Sequence, residues 1–256
     1  MASSHAVVCV LGDVGRSPRM MFHADSLLRS GLFRSVTALG HSGERLLPSL
    51  EAASRASDGS GGGSECAFRA VRFAPPSVPA LLSPSFLRPL ALVWKVLAGL
   101  WVLVRRLADV CADGGGDGGP VLLLVQLPPA LPTLPALVLL PFVLMMVSIL
   151  RGRRAGSVRL AVVLDWHNLA HTLTPGGAAV RRVAYLAERA CASLLERAVP
   201  RVRPGLAVSH LAVTDAMAAH VRSAYGLRDV TVLHDRPGTA FRPVAPRRGA
   251  APGAAA

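Results

Sequence analysis

The sequence predicts an α/β protein built on a Rossmann-like, doubly wound parallel sheet. Short apolar runs alternate along the chain with longer segments of helical character, the pattern of strands joined by crossover helices. The runs are nearly continuous in Val, Leu and Ala, as in strands covered on both faces. The first run ends in a glycine turn that opens into a helix, an arrangement suited to anions. About seven strand-like runs can be counted, and no internal repeat is evident.

The elements follow in order. Residues 6–11 are the first strand. Residues 17–30 read as a helix, with Ser17 as N-cap, Pro18 at the first helical position and Gly31 past the end. Residues 35–39 are the second strand. Residues 40–65 read as a polar loop whose centre, 57–64, is a flexible Gly-Ser spacer. Residues 67–73 are the third strand, followed by the proline-rich stretch 74–84. Residues 86–110 form a long apolar helix, and 112–119 a flexible glycine loop. The fourth strand spans 121–126. An apolar run, 134–150, contains Pro135 and Pro141. The fifth strand, 159–164, ends at Asp165, and 178–197 is helical. Residues 206–213 are a strand, 215–225 a helix capped by Thr214 or Asp215, and 230–233 a last short strand. One domain is therefore expected over 1–242. A disordered tail rich in Ala, Pro, Gly and Arg follows over 243–256.

The chain has 256 residues and a formal net charge of +13, and Lys95 is its one lysine. Its mean hydropathy is +0.44. A basic, apolar chain suits an anionic membrane surface or a nucleic acid. Aromatic residues make up only 5%, and no nucleic-acid motif is visible, so the membrane is the better fit. Cys9, Cys66, Cys111 and Cys191 are scattered without a CxxC pair. That argues against zinc and dithiol redox chemistry and for a reducing compartment; no metal is expected. The first strand starts so early that no signal peptide is expected.

Two segments bear on the membrane. Residues 86–104 are apolar apart from Arg88 and Lys95, and Arg105 and Arg106 follow. Residues 134–150 are followed by Arg151, Arg153 and Arg154. A spanning helix needs about 20 apolar residues. Each segment lies between two strands, so a span would split the sheet across the bilayer. Both can be core helices, or they can dip into one leaflet with the arginines on headgroups. Monotopic attachment is favoured over a span.

Four clusters carry candidate chemistry. Gly12-Asp13-Val14-Gly15-Arg16-Ser17, with Arg19, follows the first strand. It is neither G-x-G-x-x-G nor a P-loop. Backbone N–H groups and the two arginines suit a phosphate or diphosphate, although a plain glycine turn uses the same residues. Gln126-Leu127-Pro128-Pro129-Ala130-Leu131-Pro132-Thr133 closes the fourth strand as a stiff connection. Asp165-Trp166-His167-Asn168 follows the fifth. Trp166 can stack on a sugar, and Asp165 or His167 can accept a hydroxyl proton. The plain alternative is a capping Asp165 and a packed Trp166. His234-Asp235-Arg236-Pro237 follows the last strand, where Arg236 can meet phosphate or Asp235. All lie where open α/β sheets bind ligands, beyond the carboxyl ends of strands.

Taken together, these segments resemble the dolichol-pathway β-1,4-mannosyltransferase family. The resemblance rests on LGDVGRSPRM at 11–20 with His23 and Ala24, and on QLPPALPTLP at 126–135. LDWHN at 164–168, VTDAM at 213–217 and HDRPGTAFRP at 234–243 complete it, in family order. It implies the acceptor half of a GT-B glycosyltransferase, with a donor-binding half expected outside this chain. It implies inverting transfer of mannose from GDP-mannose to dolichyl-diphosphate-linked chitobiose, at the cytosolic face of the endoplasmic reticulum membrane. No cofactor is implied beyond the donor substrate. Other glycosyltransferases of the pathway are possible partners. By resemblance Gly12, Asp13, Gly15, Arg16, Ser17 and Arg19 hold the acceptor diphosphate. Trp166, Asn168, Asp235 and Arg236 line the sugar cleft. Asp165 is the first candidate base, His167 the second and Asp13 the third. The isolated chain is expected to be inactive; a noncatalytic membrane subunit that binds lipid diphosphate and docks a partner enzyme is the alternative. The helix over 178–197 departs from the family: neither Glu188 nor Glu196 follows a tyrosine.

Overall fold

The computed structural model describes residues 4–58, 66–114, 119–152, 159–174 and 177–235. Seven parallel strands form one sheet: β1 (His5–Asp13), β2 (Ser35–His41), β3 (Ala67–Phe73), β4 (Val121–Leu127), β5 (Leu160–Trp166), β6 (Leu206–Ala212) and β7 (Val230–Val232). Their spatial order is β3-β2-β1-β4-β5-β6-β7. The chain winds outward from β1 to β3, then returns beside β1 as β4. The switch point therefore lies between β1 and β4, where such sheets open a ligand crevice.

The strands are apolar on both faces, and each face has its own core. Val7 and Cys9 face one side with Leu123, Val125, Val162 and Leu164. Ala6, Val8 and Val10 face the other. That second side packs with α1 (Pro18–Arg29), through Met20 and Ala24, and with α2 (Pro48–Asp58), through Leu50. Helices α3 (Arg88–Gly114) and α4 (Thr133–Leu150) pack together on the first side. There they join α6 (Ala178–Ser193), α7 (Val199–Val202) and α8 (Asp215–Tyr225). The short α5 (Ala170–Leu173) follows β5. Thr214 caps α8 by accepting from the Met217 N–H at 3.1 Å. Gly226, at φ 69°, ends it in the left-handed conformation that glycine adopts without steric cost.

Four expectations change. Within the stretch read as a polar loop, α2 forms because Leu46, Leu50 and Ala53 pack on the sheet, a stripe hidden among serines and alanines. Ser57, assigned to the spacer, is helical and accepts from the Phe68 N–H at 3.0 Å; residues 59–64 of that spacer lie outside the described residues. Helix α3 continues through 112–114, and residues 115–118 of the expected glycine loop lie outside the described residues, as does the tail over 243–256. The helix read over 178–197 passes through a π-helical turn, Leu194–Ala198, into α7. Strand β5 runs two residues beyond its expected end, which decides the fate of Asp165 and Trp166.

The two apolar helices also part company. Helix α4 buries Leu134, Leu137, Leu140, Leu144 and Ser148 along one face, as a core helix does. Helix α3 buries mainly its second half, through Leu103, Leu107 and Cys111. By length and composition alone, both are long and apolar enough to cross a membrane.

Candidate functional site

The carboxyl ends of β1, β4 and β5 form a shared rim because the register aligns them. Gln126 pairs with Asp165 and Leu127 with Trp166 across β4 and β5. Ser17, after β1, donates its hydroxyl to Gln126 Oε1 at 2.6 Å, bridging the switch point. Ser17 was expected to cap α1. It occupies the cap position, but its side chain makes no capping bond because the hydroxyl is turned to β4.

Arg19 is the hub of the rim. Its Nε donates to Asp165 Oδ2 at 2.8 Å and its Nη2 to Asp165 Oδ1 at 3.0 Å. Its Nη1 donates to Asp235 Oδ1 and to the Leu233 carbonyl, each at 2.8 Å. His23, one helical turn on, sets Nε2 3.4 Å from Asp165 Oδ2. His167 Nδ1 lies 3.7 Å from the same oxygen, too far for a hydrogen bond. Burial by itself would raise the Asp165 pKa. Hydrogen bonds from His23 and Arg19, with the guanidinium charge, outweigh it and hold the carboxyl below its ordinary range.

The three candidate proton acceptors stand in different surroundings. The Asp165 side chain is 0% exposed and bound on both oxygens, so as placed it does not reach a substrate hydroxyl. Asp13 is a clamp: Oδ1 accepts from the Gly15 N–H at 3.0 Å and Oδ2 from the Glu44 N–H at 2.8 Å. The Glu44 bond leads in holding its pKa low. His167 keeps a partly exposed ring. Burial pushes its pKa below the ordinary value, against the pull of Asp165, and so favours the neutral imidazole.

The diphosphate candidates are likewise engaged within the chain. Arg16 lies 3.3 Å from Glu44 and 3.6 Å from Asp13. Gly15 is required by the loop after β2, since a Cβ there would sit 2.5 Å from the Glu44 carbonyl oxygen. Gly12 has room for one, its nearest neighbour being Val10 at 3.7 Å. Asn168 is exposed at the rim and Asp235 is half-exposed beside Arg19. Arg236 lies outside the described residues. Among the described residues no group of three or more His, Cys, Asp or Glu is placed to hold a metal ion.

Trp166 is a correction. Expected in the sugar cleft, it is fully buried, because β5 carries it past the rim into the first core. Its Nε1–H donates to His210 Nδ1 at 3.2 Å, and its ring meets Tyr225 edge-on at 5.6 Å. Burial pushes the His210 pKa down to about 4. The folded protein thus holds this imidazole neutral, while the unfolded chain takes up a proton near 6.5. The contribution is present above pH 6.5 and lost as pH falls towards 4. Urea unfolding at pH 7 and pH 5 should differ by about 2 kcal/mol through this group. His210→Gln, which keeps an acceptor for the indole, should remove that share. An equal pH dependence in variant and wild type would contradict the assignment.

Sequence reasoning gave His23 no role beyond the motif and missed the role of Glu188. The spacing of Arg19 and His23 on one face of α1 was a usable signal for the first. Glu188 is fully buried, and accepts from the Ala170 and His171 N–H groups at 3.1 and 3.4 Å and from the Tyr225 hydroxyl at 3.0 Å. Nothing local in α6 announces partners on α5 and α8.

No protein-family model matches this chain. No solved structure matches it significantly. The chain is 29% identical over 250 residues to the chitobiosyldiphosphodolichol beta-mannosyltransferase of Yarrowia lipolytica, covering 93% of this chain and 42% of that protein. It is 30% identical over 244 residues to the UDP-glycosyltransferase TURAN of Arabidopsis thaliana, again 93% of this chain and 42% of the relative. A stretch of 36 residues is 69% identical to the chitobiosyldiphosphodolichol beta-mannosyltransferase of Mus musculus. The chain thus spans less than half the length of the relatives that match most of it.

Proposed function

We propose that this chain, 29% identical over 93% of its length to a chitobiosyldiphosphodolichol beta-mannosyltransferase, belongs to that family and holds the acceptor in β-1,4-mannosyl transfer from GDP-mannose to dolichyl-diphosphate-linked chitobiose. The observation that carries the reading is the rim at the switch point, where Arg19, Asp165, His167 and Asp235 converge. Inverting transfer is a direct displacement: the acceptor hydroxyl attacks the sugar carbon as GDP leaves, and it must lose its proton. His167 takes that proton. Asp165 acts through its neighbours, anchoring Arg19 and facing the imidazole. GDP-mannose is the donor substrate, and no further cofactor takes part.

The reading places the chain on the cytosolic face of the endoplasmic reticulum membrane. Its support is the first half of α3, where Leu90, Val93, Trp94, Leu97 and Trp101 are exposed at helical spacing, with Phe86 just before them. Arg88, Lys95, Arg105 and Arg106 are exposed along the same helix. An apolar face among cations suits one leaflet of an anionic bilayer, and the acceptor's polyprenyl tail lies in that same layer. The described domain has one sheet, whereas the GT-B reading needs a second half for the donor. In that reading the described domain contributes the acceptor side, and transfer requires it to be joined to a donor-binding half.

Flotation with anionic liposomes tests this, with and without a chitobiosyl-diphosphate polyprenol. The expected results are binding strengthened by the acceptor, its loss in the paired Trp94→Glu and Trp101→Glu variant, and mannosyl transfer only when a donor half is joined to the chain. Binding indifferent to the acceptor would overturn the reading. Transfer by the chain alone would overturn the division of labour.

A further inference from the structure

Beyond the rim, α5 and the first two turns of α6 border an open cavity of about 430 Å³, lined by His171, Thr172, Arg181, Arg182 and Tyr185. The chain order sets it at the carboxyl edge of the sheet, since α5 follows the end of β5. Arg181 and Arg182 are exposed, and among the described residues neither side chain meets a carboxylate or makes a hydrogen bond. That contrasts with Arg16 and Arg19, whose guanidinium groups already face Asp13, Glu44, Asp165 and Asp235.

The wall behind the arginines is built. Glu188 fixes His171 by its backbone N–H and by Nδ1, the latter at 3.0 Å. Tyr185 meets the imidazole edge-on at 5.1 Å. The Tyr225 hydroxyl also donates to Glu188, so the carboxylate behind the cavity is buried and covered by donors. A fixed imidazole beside two cations that meet no counter-charge among the described residues is a receptor for a compact, multiply charged anion.

We propose that this cavity binds a diphosphate group, with Arg181 and Arg182 as its principal contacts. The inference stands on the cavity's own chemistry. Where the mannosyl-transfer reading also holds, the group is the diphosphate of the acceptor lipid or of the sugar nucleotide.

Isothermal titration of the intact chain with inorganic pyrophosphate tests it. Wild type should bind, and the Arg181→Ala/Arg182→Ala double variant should bind at least tenfold more weakly. Arg189→Ala, an exposed arginine of the same helix that does not line the cavity, should match wild type. Titrations with geranyl diphosphate and with GDP separate the two sources: the one that binds more tightly than pyrophosphate, with the same loss in the double variant, identifies the ligand. No binding by wild type, or equal affinity in the double variant, would overturn the proposal. So would a tenfold loss confined to Arg16→Ala, which would return the diphosphate to the first turn. Pyrophosphate binding without acceptor binding to liposomes would overturn the transfer reading and leave this site standing.

Discussion

Arg19→Ala is expected to destabilise the fold by about 3–5 kcal/mol, the cost of leaving a buried charge without its partner. The guanidinium grips both oxygens of Asp165, a carboxylate with no exposed surface. Without it only His23 at 3.4 Å and His167 at 3.7 Å remain near that charge. The same side chain holds Leu233 and Asp235 beyond β7, so this end of the chain loosens as well. The loss has a definite pH signature. In the native protein the Asp165 carboxyl lies below its ordinary 3.8; its contribution is present above that value and fades as pH falls through the folded pKa. In the variant a buried, unpaired carboxyl resists ionisation, so its pKa moves up. The gap between variant and wild type therefore narrows towards pH 3. Urea unfolding of Arg19→Ala, Asp165→Asn and the double variant forms a closed cycle. A double-variant cost well below the sum of the single costs is expected; additive costs would deny the coupling.

His167→Ala, in a protein carrying both halves, should lower kcat by about 10²–10⁴-fold, the usual contribution of a positioned base. KM for the acceptor should change far less. The wild-type rate should rise with pH along a limb set below pH 6.5, because burial disfavours the charged imidazole. That limb should vanish in the variant. An unchanged kcat with intact folding would remove His167 from the chemistry. Asp165→Asn should lower the rate chiefly through lost order at the rim. Its catalytic defect should therefore track its stability loss, and conditions that stabilise the fold should partly restore the rate.

The strands were legible because each is an apolar run with its own turn signal, and burial on both faces of a parallel sheet demands such runs. The rim was legible as an address: the four clusters follow strand ends. Their pairings were not. Arg19 and Asp165 are 146 residues apart, and they meet because β4 lies between β1 and β5 in one particular register. Trp166 looked like a cleft residue because β5 seemed to end earlier. Two more ladder positions, Asp165 against Leu211 and Trp166 against Ala212, draw both residues inward. Helix α2 escaped notice because its few packing residues, Leu50 and Ala53, stand among serines and alanines beside a Gly-Ser stretch.

By itself, then, the sequence determined the strand count, the parallel architecture and the family resemblance, since periodicity and local motifs are properties of neighbouring residues. Only the tertiary structure decided which charges neutralise one another. Arg16, Arg19 and Asp13 are occupied by partners within the chain, Asp165 and Trp166 are buried, and the Arg181 and Arg182 side chains line a cavity with no partner among the described residues. Ion pairing and burial depend on which strands become neighbours, a long-range outcome that no single stretch of the chain encodes.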